Sequence, residues 1–504
     1  MIVAASVLLR APLALQRARL SPDAISYCNI ARNLAGGKGF VSSLKLRYPD
    51  SAGVTHSAAS DRPPAYPVFA ALVIRCGGDE RCLQLANALF VSLAAGLVFL
   101  IATRLFDWRA GLLAGSAAAL APNMTYAGCA ALSDGLALTL ALAAITLALS
   151  KNPTTATLLL TGVAVLTRFP SLVVLVALLL CAGSRRGALI CAAGCLSVLA
   201  PVAVWQWAVR EPILSQTQAV HYSVADFHSA MWSARTRLDP LYAAHHPGSV
   251  AIAMLKNTAY YAWDLATGQH GLFLLSLGLV CGPMRMNRER KLVLTIAALS
   301  FAVYASTWSI PPVRGSRFML LTYCLLLPFC AEGLLEVMRR SRKPLRWATV
   351  GTCAAVLCVY VCGSFSAASF TGGECVPMTR AVSDEILRLV PPASNVASNN
   401  PWVVSHSTGL PTALLPRDMD DTLLARFVSD LRIEAIVLLG RRPASQTAMA
   451  IAKRYNCTRI GRNVRLAIPR SGPERVRRHV ENDAPYRPEA AQHTLTEYDS
   501  QEER

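Results

Sequence analysis

The sequence predicts an α-helical polytopic membrane protein with about eleven transmembrane helices and a small α/β domain at the C-terminus. Three observations lead to this fold class. Of the 504 residues, 53% are hydrophobic and only 16% are charged, which is too apolar for an average soluble protein. Apolar runs near the length of a bilayer crossing recur up to residue 365. Beyond residue 373, short helical and strand patterns alternate, as in an α/β domain.

The apolar runs define the predicted spans. A first helix is expected at Ile2–Leu15, because this run lacks the charged start and cleavage site of a secretory signal. The stretch 154–183 is interrupted by Arg168, Phe169 and Pro170, which predicts two short helices, and the run 271–282 is also short. The clearest spans are predicted at 83–103, 110–127, 130–149, 187–208, 292–308, 317–337 and 347–365.

The basic residues set the expected orientation. If the first helix leaves the cytoplasm and every apolar segment crosses, all the short basic loops lie inside, as the positive-inside rule requires. The N-terminus is then inside and the C-terminus outside. The basic loops are Arg104–Arg109, Lys151, Arg185, Arg285–Lys291 and Arg339–Arg346.

This threading also gives the predicted domains. A transmembrane domain at 1–368 includes the outer loops 18–82 and 210–269. An extracytoplasmic α/β domain is expected at 369–470, followed by a charged tail at 471–504 that is expected to be disordered. Within the α/β domain we expect helices at 379–390 and 420–431 and strands at 394–398 and 434–439.

Composition excludes several function classes. The net charge is +19, but the basic residues are scattered in short loops, which argues against a nucleic-acid partner. Most of the fifteen cysteines lie in apolar runs and none forms a zinc-site pattern. Cys76 with Cys82, and Cys375 with Cys457, fall on the predicted outer side, where disulfides can form. The sequence contains no P-loop.

Two acidic residues on the predicted outer face are candidates for chemistry, because charges beside a membrane are costly and often functional. Asp23 begins an amphipathic stretch, Ala24–Leu34, that is expected to lie along the membrane surface. Asp134 stands at the outer start of a span. For both, the simpler interpretation is a helix N-cap.

Arginines accompany these carboxylates on the same face. Arg62 precedes Pro63 and Pro64, where a rigid turn with a solvated arginine is the simpler interpretation. Arg168 lies between two short apolar segments and could extend to the surface. Arg314 and Arg317 lie on the same predicted face. Together, these four arginines and the two carboxylates predict a site in which guanidinium groups hold a lipid phosphate while a carboxylate takes a proton from a hydroxyl group.

These residues carry a resemblance to a known superfamily. The segment Arg62–Pro67 is similar to the basic-Pro-Pro segment of GT-C fold glycosyltransferases, and Gly162–Arg168 and Arg317–Phe318 also look like theirs. The superfamily includes protein O-mannosyltransferases, lipid A aminoarabinose transferases and bacterial lipopolysaccharide-core sugar transferases, and the resemblance covers most of residues 1–340. Its first-loop motif is matched by Asp23, Tyr27, Ile30, Ala31, Arg32, Asn33, Leu34, Gly37 and Gly39.

The resemblance implies inverting sugar transfer from a polyprenyl-phosphate donor, on the outer face of a bacterial plasma membrane, to a lipid, glycan or protein acceptor. It makes Asp23 the base, although Ala24 stands where many members have a second acidic residue. Asp134 matches a position expected to bind the acceptor or a divalent cation. Tyr27 and Tyr66 would contact substrate, and the segment 396–401 resembles the outer domain of bacterial members. The donor phosphate would be held by Arg62, Arg168, Arg314 and Arg317.

Two other functions remain open at this point. A transporter or flippase of a lipid-linked substrate would also have many spans and buried charges, but the sequence lacks the internal repeat that such proteins commonly have. An inactive relative that supports a cell-envelope assembly fits the missing second acidic residue. Asp418 and Asp420 have the D-x-D spacing of metal-dependent transferases, but their place before a helix favours a capping cluster.

Overall fold

The computed structural model describes most of the chain in two compact units. The first is formed by residues 1–40, 57–227 and 238–374, and the second by 41–56, 228–237 and 375–504. Within these ranges the described residues are 1–16, 20–48, 53–58, 62–150, 155–181, 185–208, 223–236, 239, 241–267, 286–309, 317–340, 347, 351, 358–363, 365, 375, 377–440, 445–461 and 463–469.

The described residues are mainly helical. Helices α1 to α15 lie between residues 2 and 340, and α16 to α19 lie between residues 380 and 454. Two 3₁₀ turns are formed by Phe169–Ser171 and Arg317–Met319. The helices are α1 (Ile2–Gln16), α2 (Pro22–Ala35), α3 (Ala65–Arg75), α4 (Glu80–Leu105), α5 (Trp108–Leu120), α6 (Pro122–Cys129), α7 (Ser133–Ser150), α8 (Thr155–Thr167), α9 (Leu172–Leu180), α10 (Arg185–Ala208), α11 (Phe227–Met231), α12 (Tyr242–His245), α13 (Pro247–Thr267), α14 (Arg288–Ala305), α15 (Leu320–Arg340), α16 (Arg380–Leu389), α17 (Pro401–Thr408), α18 (Asp421–Leu431) and α19 (Ser445–Arg454).

Two described helical segments of the first unit have the length and apolarity of membrane spans. Among the described residues, α4 and the segment Arg317–Arg340 each meet both requirements, and α6 with α7 forms a third apolar stretch that is bent by 117°. The total of about eleven spans and their orientation stay predictions. Three predicted segments lie wholly or mostly outside the described residues: the short apolar run 271–282, the span 347–365 and the charged tail 471–504.

The structure differs from the sequence prediction at 110–127, where one span was expected. The chain instead forms α5 and α6, separated by Ala121 in an extended conformation. Pro122 causes this break because it disfavours helical backbone in the preceding residue and has no amide hydrogen to donate. The predicted interruption of 154–183 is confirmed by the break between α8 and α9.

Small residues let α4 and α5 pack closely in the core of the first unit. A Cβ atom at Gly111 would lie 2.9 Å from the carbonyl oxygen of Phe99, and one at Gly115 would lie 2.8 Å from the Phe99 Cβ. Ala114 and Ala118 are buried in the same contact. Such close approach of backbones is typical of helix pairs in membranes, where van der Waals packing drives association.

Residues of three predicted inner loops meet at one end of the first unit. Arg104 forms an ion pair with Glu289 at 3.4 Å, and Arg339 forms one with Asp107 at 3.1 Å. Arg290 donates to the carbonyl oxygen of Leu105 at 3.0 Å. The basic loops that the charge pattern assigns to one side of a membrane are therefore neighbours in the fold.

The second unit contains a six-stranded mixed sheet in the order β2-β5-β4-β6-β8-β7. The pairs along β2-β5-β4-β6 are parallel, whereas β6-β8 and β8-β7 are antiparallel. A two-stranded sheet pairs β1 with β3. The strands are β1 (Val41–Ser42), β2 (Leu44–Lys45), β3 (His56–Ser57), β4 (Asn395–Ser398), β5 (Thr412–Leu414), β6 (Ile433–Leu439), β7 (Tyr455–Gly461) and β8 (Val464–Pro469).

The predicted elements of the C-terminal region correspond to α16, β4, α18 and β6. The sequence did not predict that two segments of the outer loops, 41–56 and 228–237, group with them, and the predicted domain limits and outer location stay predictions. Of the D-x-D pair, Asp420 is the N-cap of α18, as expected, and accepts from the Leu423 amide at 2.8 Å. Asp418 instead accepts from the hydroxyl of Ser233 at 2.6 Å and from the Ala234 amide at 2.8 Å.

Candidate active site

Asp23 lies in the first turn of α2 with its carboxylate directed to two arginines. Ser21 caps the helix, since its hydroxyl accepts from the Ala24 amide at 3.2 Å, so the N-cap interpretation of Asp23 is wrong. One carboxylate oxygen of Asp23 pairs with Arg62 at 2.7 Å, and the other pairs with Arg317. The side chain is 28% exposed, so it is shielded yet open to a small reactant.

Asp134 is the second residue of α7 and is nearly inaccessible, with 3% of its side chain exposed. It forms an ion pair with Arg168, and its other oxygen lies 3.7 Å from Arg317. Asn87 of α4 fixes the turn before α7 by donating to the carbonyl oxygens of Ala130 and Leu132, the latter at 2.7 Å. The carboxylate is therefore held in place by the backbone that precedes it.

Arg317 connects the two carboxylates. It begins the helical segment Arg317–Arg340, and its two terminal nitrogens reach Asp23 and Asp134 respectively. The guanidinium groups of Arg168 and Arg317 lie 5.3 and 5.5 Å from the centre of the Phe318 ring. A cation over an aromatic face is attracted by the electron-rich ring, so Phe318 helps to hold both arginines toward the same space.

Two buried tyrosines support Arg62. Its guanidinium lies 5.0 Å from the centre of the Tyr27 ring, which packs edge-on against Tyr66 at 5.0 Å. The hydroxyl groups of Tyr27 and Ser133 are 2.9 Å apart, and Asn87 donates to the Tyr66 hydroxyl at 3.3 Å. Both tyrosines thus join α2 and α3 to the turn before α7, and their predicted contact with substrate stays a prediction.

The surrounding charges control the ionisation of Asp23. Burial by itself opposes ionisation, but the guanidinium groups of Arg62 and Arg317 outweigh it and hold the pKa of the Asp23 carboxyl well below its usual range. Among the residues that the structure describes, the cluster contains three guanidinium groups and two carboxylates, Asp23 and Asp134, a balance of one positive charge. A surplus of guanidinium donors beside lipid favours an anionic ligand.

An open, shallow cleft adjoins this cluster. Asp134, Arg168 and Arg317 form its charged part. Its other walls are mainly apolar or aromatic, with the two hydroxyl side chains of Ser171 and Ser300 among them. The apolar and aromatic residues include Ala137, Leu138, Ala141, Tyr304, Phe318, Leu320 and Leu321. The cleft combines anion donors at one place with a surface for hydrocarbon, which suits an amphiphilic lipid.

The charged groups do not fit a metal site. Among the residues that the structure describes, no three His, Cys, Asp or Glu side chains lie close enough together to hold an ion. Asp23 and Asp134 each face guanidinium groups, which compete with a cation for the carboxylate oxygens. We therefore derive no step through a metal ion.

Sequence reasoning named most of this site, and the structure brings Asp23, Asp134, Arg62, Arg168 and Arg317 together. Arg314 lies outside the described residues. Phe318, Asn87, Ser133 and Tyr304 also belong to the site, although their roles were not predicted. The signal for Asn87 was an amide side chain inside an apolar helix, which is costly unless its hydrogen bonds are satisfied.

Part of the chain matches a known protein family. Residues 61–205 match the model of the family described as dolichyl-phosphate-mannose-protein mannosyltransferase. Among curated protein sequences, none is significantly similar to the chain.

Solved structures show the fold. ArnT from Cupriavidus metallidurans bound to undecaprenyl phosphate has 15% sequence identity and a TM-score of 0.57, with 94% of this chain and 98% of that chain covered. The oligosaccharyltransferase of Archaeoglobus fulgidus has 11% sequence identity and a TM-score of 0.56, with 87% of this chain and 68% of that chain covered. The arabinofuranosyltransferase AftD from Mycobacteria has 13% sequence identity and a TM-score of 0.53, with 93% of this chain and 41% of that chain covered. The predicted resemblance to GT-C fold membrane glycosyltransferases is thus confirmed.

Proposed function

We propose that this protein is an integral membrane glycosyltransferase that moves a sugar from a polyprenyl-phosphate donor to an acceptor, with inversion and with Asp23 as the base. The observation that carries the proposal is the bridge formed by Arg317 between Asp23 and Asp134 at the charged part of the apolar cleft. This arrangement puts a carboxylate, phosphate-binding donors and a hydrocarbon surface within one site.

The donor class follows from charge and shape. A sugar linked to polyprenyl phosphate is a phosphodiester with one negative charge, which would neutralise the surplus positive charge of the cluster. Arg168 and Arg317, with Arg62, would hold the phosphate, and the isoprenoid chain would lie against Leu138 and Leu320 in the cleft. ArnT, which has the same fold, was solved with undecaprenyl phosphate bound.

The reaction is then a single displacement. Phosphate binding draws Arg62 and Arg317 away from Asp23 and so raises the basicity of its carboxylate. Asp23 takes the proton of the acceptor hydroxyl or amine as that atom bonds to the anomeric carbon. The bond from this carbon to the phosphate oxygen breaks, and its electron pair leaves with polyprenyl phosphate, whose added negative charge the arginines stabilise.

We place the reaction on the outer face of the bacterial plasma membrane. The support is the loop charge: the basic loops that meet around Arg104, Arg290 and Arg339 belong inside by the positive-inside rule. Arg317 and Arg339 stand near opposite ends of one helical segment, so the Asp23 site belongs outside. A lipid, glycan or protein acceptor would reach it from that side.

The test compares Asp23→Asn with the wild-type protein in membranes, using a labelled sugar on polyprenyl phosphate. Loss of a general base should lower the rate of transfer by about 10²–10⁴-fold. Asp384→Asn, which changes an exposed aspartate of α16, is the matched control and should leave the rate unchanged. Undiminished transfer by Asp23→Asn would exclude its role as base. No transfer by a folded wild-type protein with any polyprenyl-linked sugar would favour the transporter or flippase.

A further inference from the structure

Arg10, in the middle of α1, is the largest fully buried side chain of the described residues. Among those residues no carboxylate pairs with it, and its electrostatic neighbours are the thiols of Cys129 and Cys324 and the phenol of Tyr323. An arginine without a counter-ion in an apolar helix bundle is expensive. Such a residue is expected to have a function that compensates for this cost.

The guanidinium group of Arg10 contacts the break between α5 and α6. In a continuous helix, the carbonyl oxygen of Ala118 would accept from the amide of residue 122. Residue 122 is a proline and has no amide hydrogen. Arg10 Nη2 donates to this same oxygen at 3.3 Å, and Nη1 donates to the hydroxyl of Ser6. Arg10 thus replaces the missing donor, and its charge faces the negative end of α5.

Arg10 also supports α6 directly. A Cβ atom at Gly128 would lie 3.0 Å from the Arg10 Cδ atom, so α6 packs tightly against this side chain. The thiol of Cys129 donates to the carbonyl oxygen of Arg10 at 3.8 Å. The turn that follows α6 is the one that Asn87 fixes, and it leads within four residues to Asp134.

We propose that Arg10 is a positioning residue that seats α6 and thereby sets Asp134 against Arg168 and Arg317. The proposal rests on the proposed function for its kinetic consequences, but not for its structural ones. Arg10 does not line the cleft, so its effect passes through the broken helix to the start of α7. A displacement of about 1 Å at a reacting site can cost roughly 10²-fold in rate.

The structural test needs no enzymatic activity. Cys129 is fully buried, and maleimide labelling of this thiol, read by mass spectrometry, reports whether α6 stays seated. We expect labelling of Cys129 to rise about tenfold or more in Arg10→Met and to stay within about twofold of wild type in Arg10→Lys, which keeps a charged donor. Cys28, which is also buried, is the control and should be unchanged in both variants. Gly128→Ala, which presses on Arg10 without removing its charge, is the milder variant if Arg10→Met does not fold.

The kinetic test is a double-mutant cycle with Asp134→Asn. Arg10→Met alone should lower transfer by about 10–100-fold, and in the Asp134→Asn background it should add less than about twofold, because both changes act on one group. Rescue by Arg10→Lys separates positioning from a general loss of folding. Unchanged Cys129 labelling in Arg10→Met, or a full additional loss in the Asp134→Asn background, would overturn the proposal. If the wild-type protein transfers no sugar, the labelling result still decides the structural part.

Discussion

Two clusters of charged side chains near opposite ends of the segment Arg317–Arg340 differ in burial and in charge balance. The Asp23 cluster has three arginines and two carboxylates, and Asp134 at its centre is 3% exposed. The Arg339 cluster has two arginines and three carboxylates, and its arginines are 42% and 59% exposed. The members of the first are Asp23, Arg62, Asp134, Arg168 and Arg317, and those of the second are Asp107, Glu332, Glu336, Arg339 and Arg340.

The difference separates a site from a solvated surface. Exposed ion pairs contribute little to stability and need no special explanation. Buried ion pairs are expensive to desolvate, and replacing them with apolar residues is often neutral or favourable. A cluster that is largely shielded around a buried Asp134 and has more guanidinium groups than carboxylates therefore suits an anionic ligand.

The largest contrast is expected between Arg317→Met and Arg339→Met, which alter the first and nearly the last residue of one helical segment. Loss of Arg317 removes a donor to the leaving phosphate and should lower kcat/KM for sugar transfer by about 10²–10³-fold. Loss of the exposed Arg339 should change kcat/KM by less than about twofold. Equal losses in the transfer assay would show that the two clusters are not functionally different.

A second contrast concerns stability. Asp134→Asn leaves Arg168 without its buried counter-ion, whereas Arg317 keeps its ion pair with Asp23. The change should lower the free energy of unfolding by about 3 kcal/mol. Asp107→Asn should change it by less than about 0.5 kcal/mol, because Asp107 is the exposed N-cap of α5 and asparagine caps equally well. Denaturant unfolding of the two variants in detergent micelles measures both effects. A similar loss in the two variants would contradict the assignment of Asp134 as the buried centre.

The pH dependence of stability distinguishes Asp23 from an ordinary carboxylate. Because its pKa in the folded protein is held well below the usual range, the stabilisation it contributes is present above about pH 4 and is lost as the pH falls further. The difference in Tm between wild type and Asp23→Asn should therefore be constant from neutral pH to about pH 5 and shrink below about pH 4. A difference that already declines near neutral pH would mean that the arginines do not control this carboxyl.

The smallest expected effect is that of salt on the exposed pairs. Glu336→Gln removes the pairs with Arg339 and Arg340 and should lower Tm by less than about 2 °C at low ionic strength. In about 1 M NaCl this shift should vanish, since exposed charges are screened over a few ångströms. The shift caused by Asp134→Asn should persist at the same salt concentration. If the Tm shifts of both variants vanished in salt, Asp134 would be as exposed to solvent as Glu336, and the two clusters would not differ in burial.

The sequence predicted the members of the Asp23 cluster better than it predicted their contacts. The positive-inside rule predicted that Asp23, Arg62 and Asp134 lie on one face. A sequence can support this prediction because the rule depends only on the local composition of the loops. It could not show that Ser21 rather than Asp23 caps α2, since both residue types suit the position. The roles of Arg10 and Asn87 were also missed, because they bond to carbonyl oxygens far along the chain, Ala118 in α5 and Leu132 in the turn before α7.

By itself the sequence determined that the chain is a helical membrane protein with a C-terminal α/β region, since hydrophobic periodicity and run length depend on neighbours along the chain. It also supplied the residue types of the site. Only the tertiary structure decided that Arg317 connects Asp23 to Asp134 and that Arg10 completes the break before Pro122. Those contacts join residues more than one hundred positions apart, and helix packing, which no local pattern encodes, brings them together.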